Sequence, residues 1–137
     1  MRSIILILFL ILSSCSYHAI EVIDGDTIKT ELGTIRFSGI NTPEIGECYH
    51  DEAAEKTKEL LLHKKIILEK DYIDEDTYGR KLRYIYVDDE FVNGILVRDG
   101  YARVFDAFNK TTKRYDELKV LEDEAKKENM GIWNCID

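Results

Sequence analysis

Excess positive charge is missing from this 137-residue chain: 19 lysines and arginines face 27 aspartates and glutamates, for a formal net charge of −8. The summed field therefore does not draw in a polyanionic partner, and tight binding of one requires a local basic patch. Arg80, Lys81, Arg83, Arg103, Lys110, Lys113 and Arg114 are candidates for such a patch, with ordinary solvated charge as the alternative. Proline is nearly absent, Pro43 standing alone. No internal repeat or low-complexity segment occurs, so nothing marks a second domain. A bilayer span needs roughly 20 consecutive apolar residues, and the longest apolar run, Ile4 to Leu12, falls short of that.

What is present reads as one folded domain behind a targeting segment. Hydrophobic residues make up 45% and charged residues 34% of the chain, which suits a single globular core rather than a disordered segment; a monomer is expected, though composition does not bear on it. Met1-Arg2, the apolar run and the small pair Ser13-Ser14 follow one another in the order of an export signal. Leu12-Ser13-Ser14-Cys15 resembles the bacterial lipoprotein cleavage box. On that resemblance residues 1–14 are removed, and Cys15 becomes the lipidated N-terminus of an exported, membrane-anchored protein. The alternative is ordinary secretory cleavage with Cys15 merely nearby. Removing residues 1–14 takes away Arg2 and no acid, so the mature charge is −9. Cysteine is scarce, three in all. With Cys15 set aside, Cys48 and Cys135 remain, and two leftover thiols in an oxidising compartment usually pair. A Cys48–Cys135 disulfide is expected, two free cysteines being the alternative.

From residue 17 to 137 the pattern is that of a small α+β domain. Ala19 to Ile23, Thr27 to Thr30 and Thr34 to Ile40 alternate as strands, with Glu31-Leu32-Gly33 as a hairpin turn. Ile45 to His50 reads as a loop. Asp51-Glu52 opens a helix with Ala53, Ala54, Thr57, Leu60 and Leu61 on one face. Lys64 to Lys70 is a fourth strand, Asp71 to Thr77 an acidic loop, and Leu82 to Val87 a fifth strand. Val92, Ile95 and Leu96 have helical spacing, with Gly100 where a helix C-terminus favours glycine. Tyr101 to Phe108 reads as extended. Thr111 or Thr112 caps a last helix, whose Tyr115, Leu118, Leu121 and Ala125 form an apolar stripe ending at Gly131. Five strands with about three helices fit a five-stranded barrel of the oligonucleotide-binding (OB-fold) type, one of few ways to close so short a sheet.

The stretch from Ile23 to Glu44 concentrates the chemistry. Asp24-Gly25-Asp26 places two carboxylates around a glycine able to take positive φ, an arrangement that gathers oxygen ligands for a hard cation. The strand from Thr34 carries Arg36 toward the same end as Asn41-Thr42-Pro43-Glu44. A metal, an arginine and a carboxylate then meet.

Ile23-Asp24-Gly25-Asp26-Thr27, Arg36, Asn41-Thr42-Pro43-Glu44, Asp76-Thr77-Tyr78-Gly79-Arg80, Tyr84-Ile85-Tyr86-Val87, Leu96-Val97, Gly100-Tyr101-Ala102 and Gly131-Ile132-Trp133 stand in an order and spacing that closely resemble the staphylococcal-nuclease-like (thermonuclease) family. Each piece alone is weak; together they are specific. The resemblance implies a calcium-dependent (Ca2+) phosphodiesterase that hydrolyses DNA and RNA, favours single-stranded or frayed substrate and leaves 3′-phosphate ends. By position Asp26 and Asn41 are metal ligands through their side chains and Thr42 through its carbonyl. Glu44 orients or deprotonates the attacking water, and Arg36 and Arg80 contact the phosphate. Tyr78 and Phe108 contact a base or sugar. Two guanidinium forks suit the charge that grows on the equatorial oxygens as phosphorus becomes five-coordinate. Asn41 replaces the aspartate of the familiar family form and Thr77 a frequent lysine, which weakens expected cation and substrate binding. The competing function is a non-catalytic module of the same fold that binds nucleic acid or protein, a class that usually lacks the retained Arg36, Glu44 and Arg80. Incidental readings remain for single residues: Asp26 as a turn former, Glu44 as a turn cap, Arg80 as a surface residue. Arg36 inside an apolar strand is harder to explain so, since a buried guanidinium needs a partner.

Overall fold

The computed structural model describes residues 15–105 and 112–135. The leader 1–14, Lys110, Phe108 and Thr111 lie outside them. Among the described residues nine strand segments form in chain order: β1 (Tyr17–His18), β2 (Glu21–Asp24), β3 (Thr27–Thr30), β4 (Gly33–Phe37), β5 (Ile40–Asn41), β6 (Lys65–Glu75), β7 (Lys81–Val87), β8 (Glu90–Phe91) and β9 (Arg103–Val104). Three helices accompany them among the described residues: α1 (His50–Leu61), α2 (Val92–Arg98) and α3 (Tyr115–Lys127). The main sheet runs β1-β6-β7-β4-β3-β2, with β8 beside β7, and a separate pair joins β5 to β9. All neighbours are antiparallel except β4 and β7. This is an α+β fold with a curled, OB-like half-barrel; its five main strands are those expected, and the rest are two-residue additions.

Two registers position the site. Thr27 pairs with Arg36 across β3 and β4, which sets Asp26 at the end of the strand next to Arg36. Arg36 pairs with Leu82 across the parallel β4 and β7, so Arg80, just before β7, flanks Arg36 from the other neighbouring strand, on the side away from Asp26. The sheet encloses a core of Ile28, Ile35, Phe37, Tyr84, Ile85, Leu96, Val97 and Leu118, all at 1% exposure or less. Burying one such side chain contributes roughly 1.5–3 kcal/mol. Tyr84, the bulkiest, has its hydroxyl satisfied by the Arg114 N–H at 3.0 Å. Burial pushes its pKa well above the ordinary tyrosine value.

Several local expectations change. The acidic segment after Lys70 is strand as far as Glu75, because Lys81 pairs with Glu75 at 2.9 Å and Arg83 with Asp74 at 2.8 Å across the hairpin. The strand from Thr34 breaks at Ser38-Gly39, where Gly39 takes φ 74°, and resumes as β5 against β9. Helix α3 starts at Tyr115 with Arg114 in the capping position and no side-chain cap; Thr112 contributes only its carbonyl, to Tyr115 N–H. It ends at Lys127, not at Gly131, and Asn129 at φ 51° reverses the chain. Among the described residues, several candidates for the basic patch are taken up by nearer partners. Lys81 and Arg83 are paired as above, Arg114 grips Glu69 with two nitrogens at 2.7 and 2.8 Å, and Arg103 lies over the Trp133 ring.

Candidate active site

Asp24-Gly25-Asp26 is the turn between β2 and β3. Gly25 does not use positive φ, contrary to expectation. Glycine is needed for a close approach instead, since a Cβ there would sit 2.8 Å from Thr42 Cγ2. The Gly25 carbonyl accepts a hydrogen bond from Thr57 Oγ1 of α1 at 2.6 Å. Asp26, 7% exposed, accepts from Thr27 Oγ1 through Oδ1 and from the Thr42 N–H through Oδ2, at 3.0 and 2.9 Å. Thus Asp26 joins the first turn to the Asn41-Thr42 segment.

Arg36 is the hub. Its guanidinium donates to the carbonyls of Phe37 and Ile40 at 2.7 and 2.8 Å and to Asn41 Oδ1, and it lies 3.4 Å from Asp26 Oδ2. These partners make its burial tolerable. Burial pushes its pKa below the ordinary arginine value, and Arg80 adds to that; Asp26, Glu44 and Asp76 act in the opposite sense. It nevertheless remains charged.

Arg80 is held by a residue to which sequence reasoning gave no role. Asp76 Oδ1 accepts from the N–H groups of Tyr78 and Arg80, and Oδ2 from Arg80 Nε at 2.6 Å. One carboxylate thus folds the turn and orients the guanidinium. Burial works to raise the Asp76 pKa, but the Arg80 side chain and the two N–H groups outweigh it and hold it below the usual carboxylate value. The guanidinium also stands 5.4 Å from the Tyr78 ring centroid, and Tyr78 is 83% exposed. The available signal was an aspartate two and four residues before the N–H groups it accepts.

Glu44 follows buried Pro43 and is exposed. Its N–H donates to Glu47 Oε1 at 2.7 Å, so Glu47 shapes the turn that presents it. A cleft of about 610 Å³ brings together Asp26, Arg36, Asn41, Glu44, Tyr78 and Arg80. Thr42, 5% exposed, is not part of its wall but is bonded through its N–H to Asp26, which is. Phe105, 44% exposed, is part of the wall and was not singled out in the sequence. Six carboxylates (Asp24, Asp26, Glu44, Asp71, Glu75 and Asp76) line the cleft against the two arginines. The described part of the expected site therefore converges; Phe108 lies outside the described residues, and Cys15 is an exposed free thiol that is not part of the cleft wall. Cys48 and Cys135 are joined as a disulfide with Cα atoms 6.3 Å apart.

Asp26, Asn41 and the Thr42 carbonyl offer oxygen alone, a donor set suited to a hard divalent cation and not to a soft one. Among the described residues no three His, Cys, Asp or Glu side chains cluster to hold a metal. A cation held here would rely on neutral oxygens beside Asp26.

A curled mixed sheet with paired arginines and an oxygen-rich turn at one mouth defines the fold class, and the comparisons agree. The family model described as "Staphylococcal nuclease homologue" matches residues 34–135. The chain belongs to this family. It is similar to the SPbeta prophage-derived endonuclease YokF of Bacillus subtilis (strain 168), 40% identical over 83% of this chain and 42% of that protein. It is 38% identical to Endonuclease YncB of the same organism, over 83% of this chain and 59% of the relative. With the Thermonuclease of Staphylococcus hyicus it shares 33% identity over 87% of this chain and 76% of the other. The chain spans about half the length of the two Bacillus relatives.

Proposed function

We propose that this chain is a calcium-dependent endonuclease that hydrolyses DNA and RNA, preferring single-stranded or frayed strands and leaving 3′-phosphate ends. The observation that carries this reading is the convergence of Arg36, Arg80 and Glu44 beside Asp26, Asn41 and Thr42 at one cleft mouth. The endonuclease and thermonuclease relatives support it.

In this reading Glu44 orients a water and accepts its proton as the oxygen attacks phosphorus. The bond from phosphorus to the 5′ oxygen breaks, a proton goes to that oxygen, and the phosphate stays on the 3′ side. Arg36 and Arg80 donate to the equatorial oxygens, where negative charge grows in the transition state. Arg36 is fixed by two carbonyls and Arg80 by Asp76, so neither needs to reorganise much. Asp26, Asn41 and the Thr42 carbonyl would hold the calcium ion, which neutralises and orients the phosphate when bound. Tyr78 and Phe105 present aromatic faces on which bases of any sequence stack, and such stacking is worth about 1–3 kcal/mol per base. A splayed single strand offers those faces; a closed duplex hides them.

We further propose that Cys15 carries a lipid after export, leaving the exposed N-terminal end of the domain next to a membrane. No helix among the described residues is long and apolar enough to cross one.

The test of the hydrolytic reading is digestion of denatured DNA with calcium and with a chelator. Cleavage only with calcium supports it. No cleavage under either condition leaves a non-catalytic module that binds nucleic acid or protein.

A further inference from the structure

The turn that carries Glu44 is anchored differently at its two ends. On the entry side Thr42 and Pro43 are buried, and the Thr42 N–H is bonded to Asp26. Residues Glu44 to Cys48 are all exposed. Inside the turn Glu47 N–H donates to Glu44 O at 2.9 Å and Glu44 N–H to Glu47 Oε1, with Gly46 at φ 87°. These bonds give the turn its shape. On a water-exposed segment each contributes little net stability, and beyond them the Glu47 carbonyl accepts from the His50 N–H at the start of α1, at 3.3 Å.

The exit side is tied covalently. Cys48 is bonded to Cys135, 87 residues further on. That far anchor is rigid, because Cys135 follows the 3-10 turn Gly131–Asn134, whose Ile132 is 3% exposed and donates to Gly100 O at 2.8 Å. The backbones of Gly100 and Gly131 meet so closely that a Cβ on Gly131 would lie 2.1 Å from Gly100 O. Trp133 is flanked by Arg103 and Lys126, 5.0 and 4.7 Å from its ring. The disulfide thus extends this anchor to a turn whose exit is otherwise held through the start of α1, where Tyr49 packs on the Tyr101 ring and His50 lies 3.5 Å from Asp24.

We propose that the Cys48–Cys135 disulfide is a positioning device for Glu44, making turnover thiol-sensitive: oxidised, it fixes the turn that aims the carboxylate, and reduced, it releases it. This rests on the hydrolytic reading above. Catalytic groups act only within a narrow range of positions, whereas a freed loop samples many on the nanosecond to microsecond scale. Arg36 on β4 and Arg80 in the Asp76 turn are not tied through the bridge, so substrate contacts survive its loss. Reduction is balanced by a dithiol. The S–S bond takes two electrons and two protons to give two cysteine thiols, while the dithiol closes to its own disulfide. Cys48 is exposed to such a reagent.

The test compares oxidised protein, protein reduced with dithiothreitol, and the Cys48→Ser/Cys135→Ser double variant on denatured DNA with calcium. Each is assayed below its own unfolding temperature as followed by circular dichroism. Both bridge-free forms are expected to lose kcat by about 10- to 100-fold, the scale of a misplaced catalytic group, with KM within about twofold. In a Glu44→Gln background, removing the bridge should lower the residual rate by less than about twofold, because the two changes act through one group. Exchange of the Glu47 amide should accelerate, and that of the Ile85 amide, bonded to Asn93 in the core, should not.

Unchanged kcat in a folded bridge-free protein overturns the proposal. So does a full further loss in the Glu44→Gln background, which would place the effect outside Glu44. Failure of both bridge-free forms to fold overturns it too, since the bridge would then hold the whole domain. If the oxidised protein itself does not cut, the hydrolytic reading fails first and the clamp falls with it; a cutting protein indifferent to the bridge sinks the clamp alone.

Discussion

In the proposed calcium site, a single uncharged side chain at Asn41 sets how a cation is met. Its Oδ1 accepts from Arg36, and Asp26 accepts from the Thr42 N–H while standing 3.4 Å from the same guanidinium. Asn41→Asp adds a negative charge where the proposed calcium ligands gather. It should lower the calcium concentration for half-maximal cleavage by on the order of tenfold, equivalent to about 1.4 kcal/mol, with a smaller change in the saturated rate. The competing outcome is that the new carboxylate pairs with Arg36 and spends its charge there. A calcium titration of both forms separates the two, and an unchanged requirement would show that residue 41 does not touch the ion. Asp76 offers a second reading at this scale. Asp76→Asn keeps an oxygen for the turn but removes the charge that orients Arg80, so KM should rise several-fold while thermal stability changes little, by the 0–1 kcal/mol typical of a partly exposed pair.

Among the elements, α3 supports the site indirectly. Glu122, 5% exposed, accepts from the Val104 N–H of β9 at 2.8 Å and pairs with Lys126 at 2.9 Å. β9 in turn pairs with β5, where Arg103 faces Asn41. Burial would raise the Glu122 pKa, but Lys126, the Val104 N–H and Lys119 outweigh it and lower it. A folded-state pKa below the unfolded one stabilises above the ordinary glutamate value of about 4.3, and that stabilisation is lost as pH falls through the folded pKa. Glu122→Gln should therefore melt below the wild type at pH 7, with the gap closing at pH 3; a gap independent of pH would refute the charge argument. Elements like β7 are legible from sequence because alternation at Leu82, Tyr84 and Tyr86 is a local property. The same holds for the Ile23–Glu44 stretch, whose carboxylates, arginine and turn residues lie within reach of one hairpin. Glu122 reads as a solvated residue on a helix face, and Arg83 as part of a basic patch, because their partners Val104 and Asp74 are set by packing and strand register. The run of acids after Lys70 reads as a loop for the same reason: only the pairing with Lys81 and Arg83 makes it strand.

For the molecule as a whole, the disulfide closes most of the domain into one loop. Its loss should cost about 2–5 kcal/mol, measured as a fall in the denaturation midpoint on reduction. On the proposed anchoring, Cys15→Ala should move the protein from the membrane fraction to the soluble one without changing the rate of the folded domain. Equal solubility of both forms would mean that Cys15 carries no lipid. Net charge bears on substrate grip at the same scale: with six carboxylates and two arginines lining the cleft, long-range capture of a polyanion is weak, and binding should depend on the few contacts at the mouth. On the proposed reading this mouth performs phosphodiester hydrolysis through Glu44. The most direct test is the single-turnover cleavage rate of a labelled single-stranded oligonucleotide, bound to saturation with calcium, by the wild type and by Glu44→Gln. The folded variant is expected to bind equally well and to cut roughly 10²–10⁴-fold more slowly; equal cleavage rates at saturation would remove Glu44 from the chemistry.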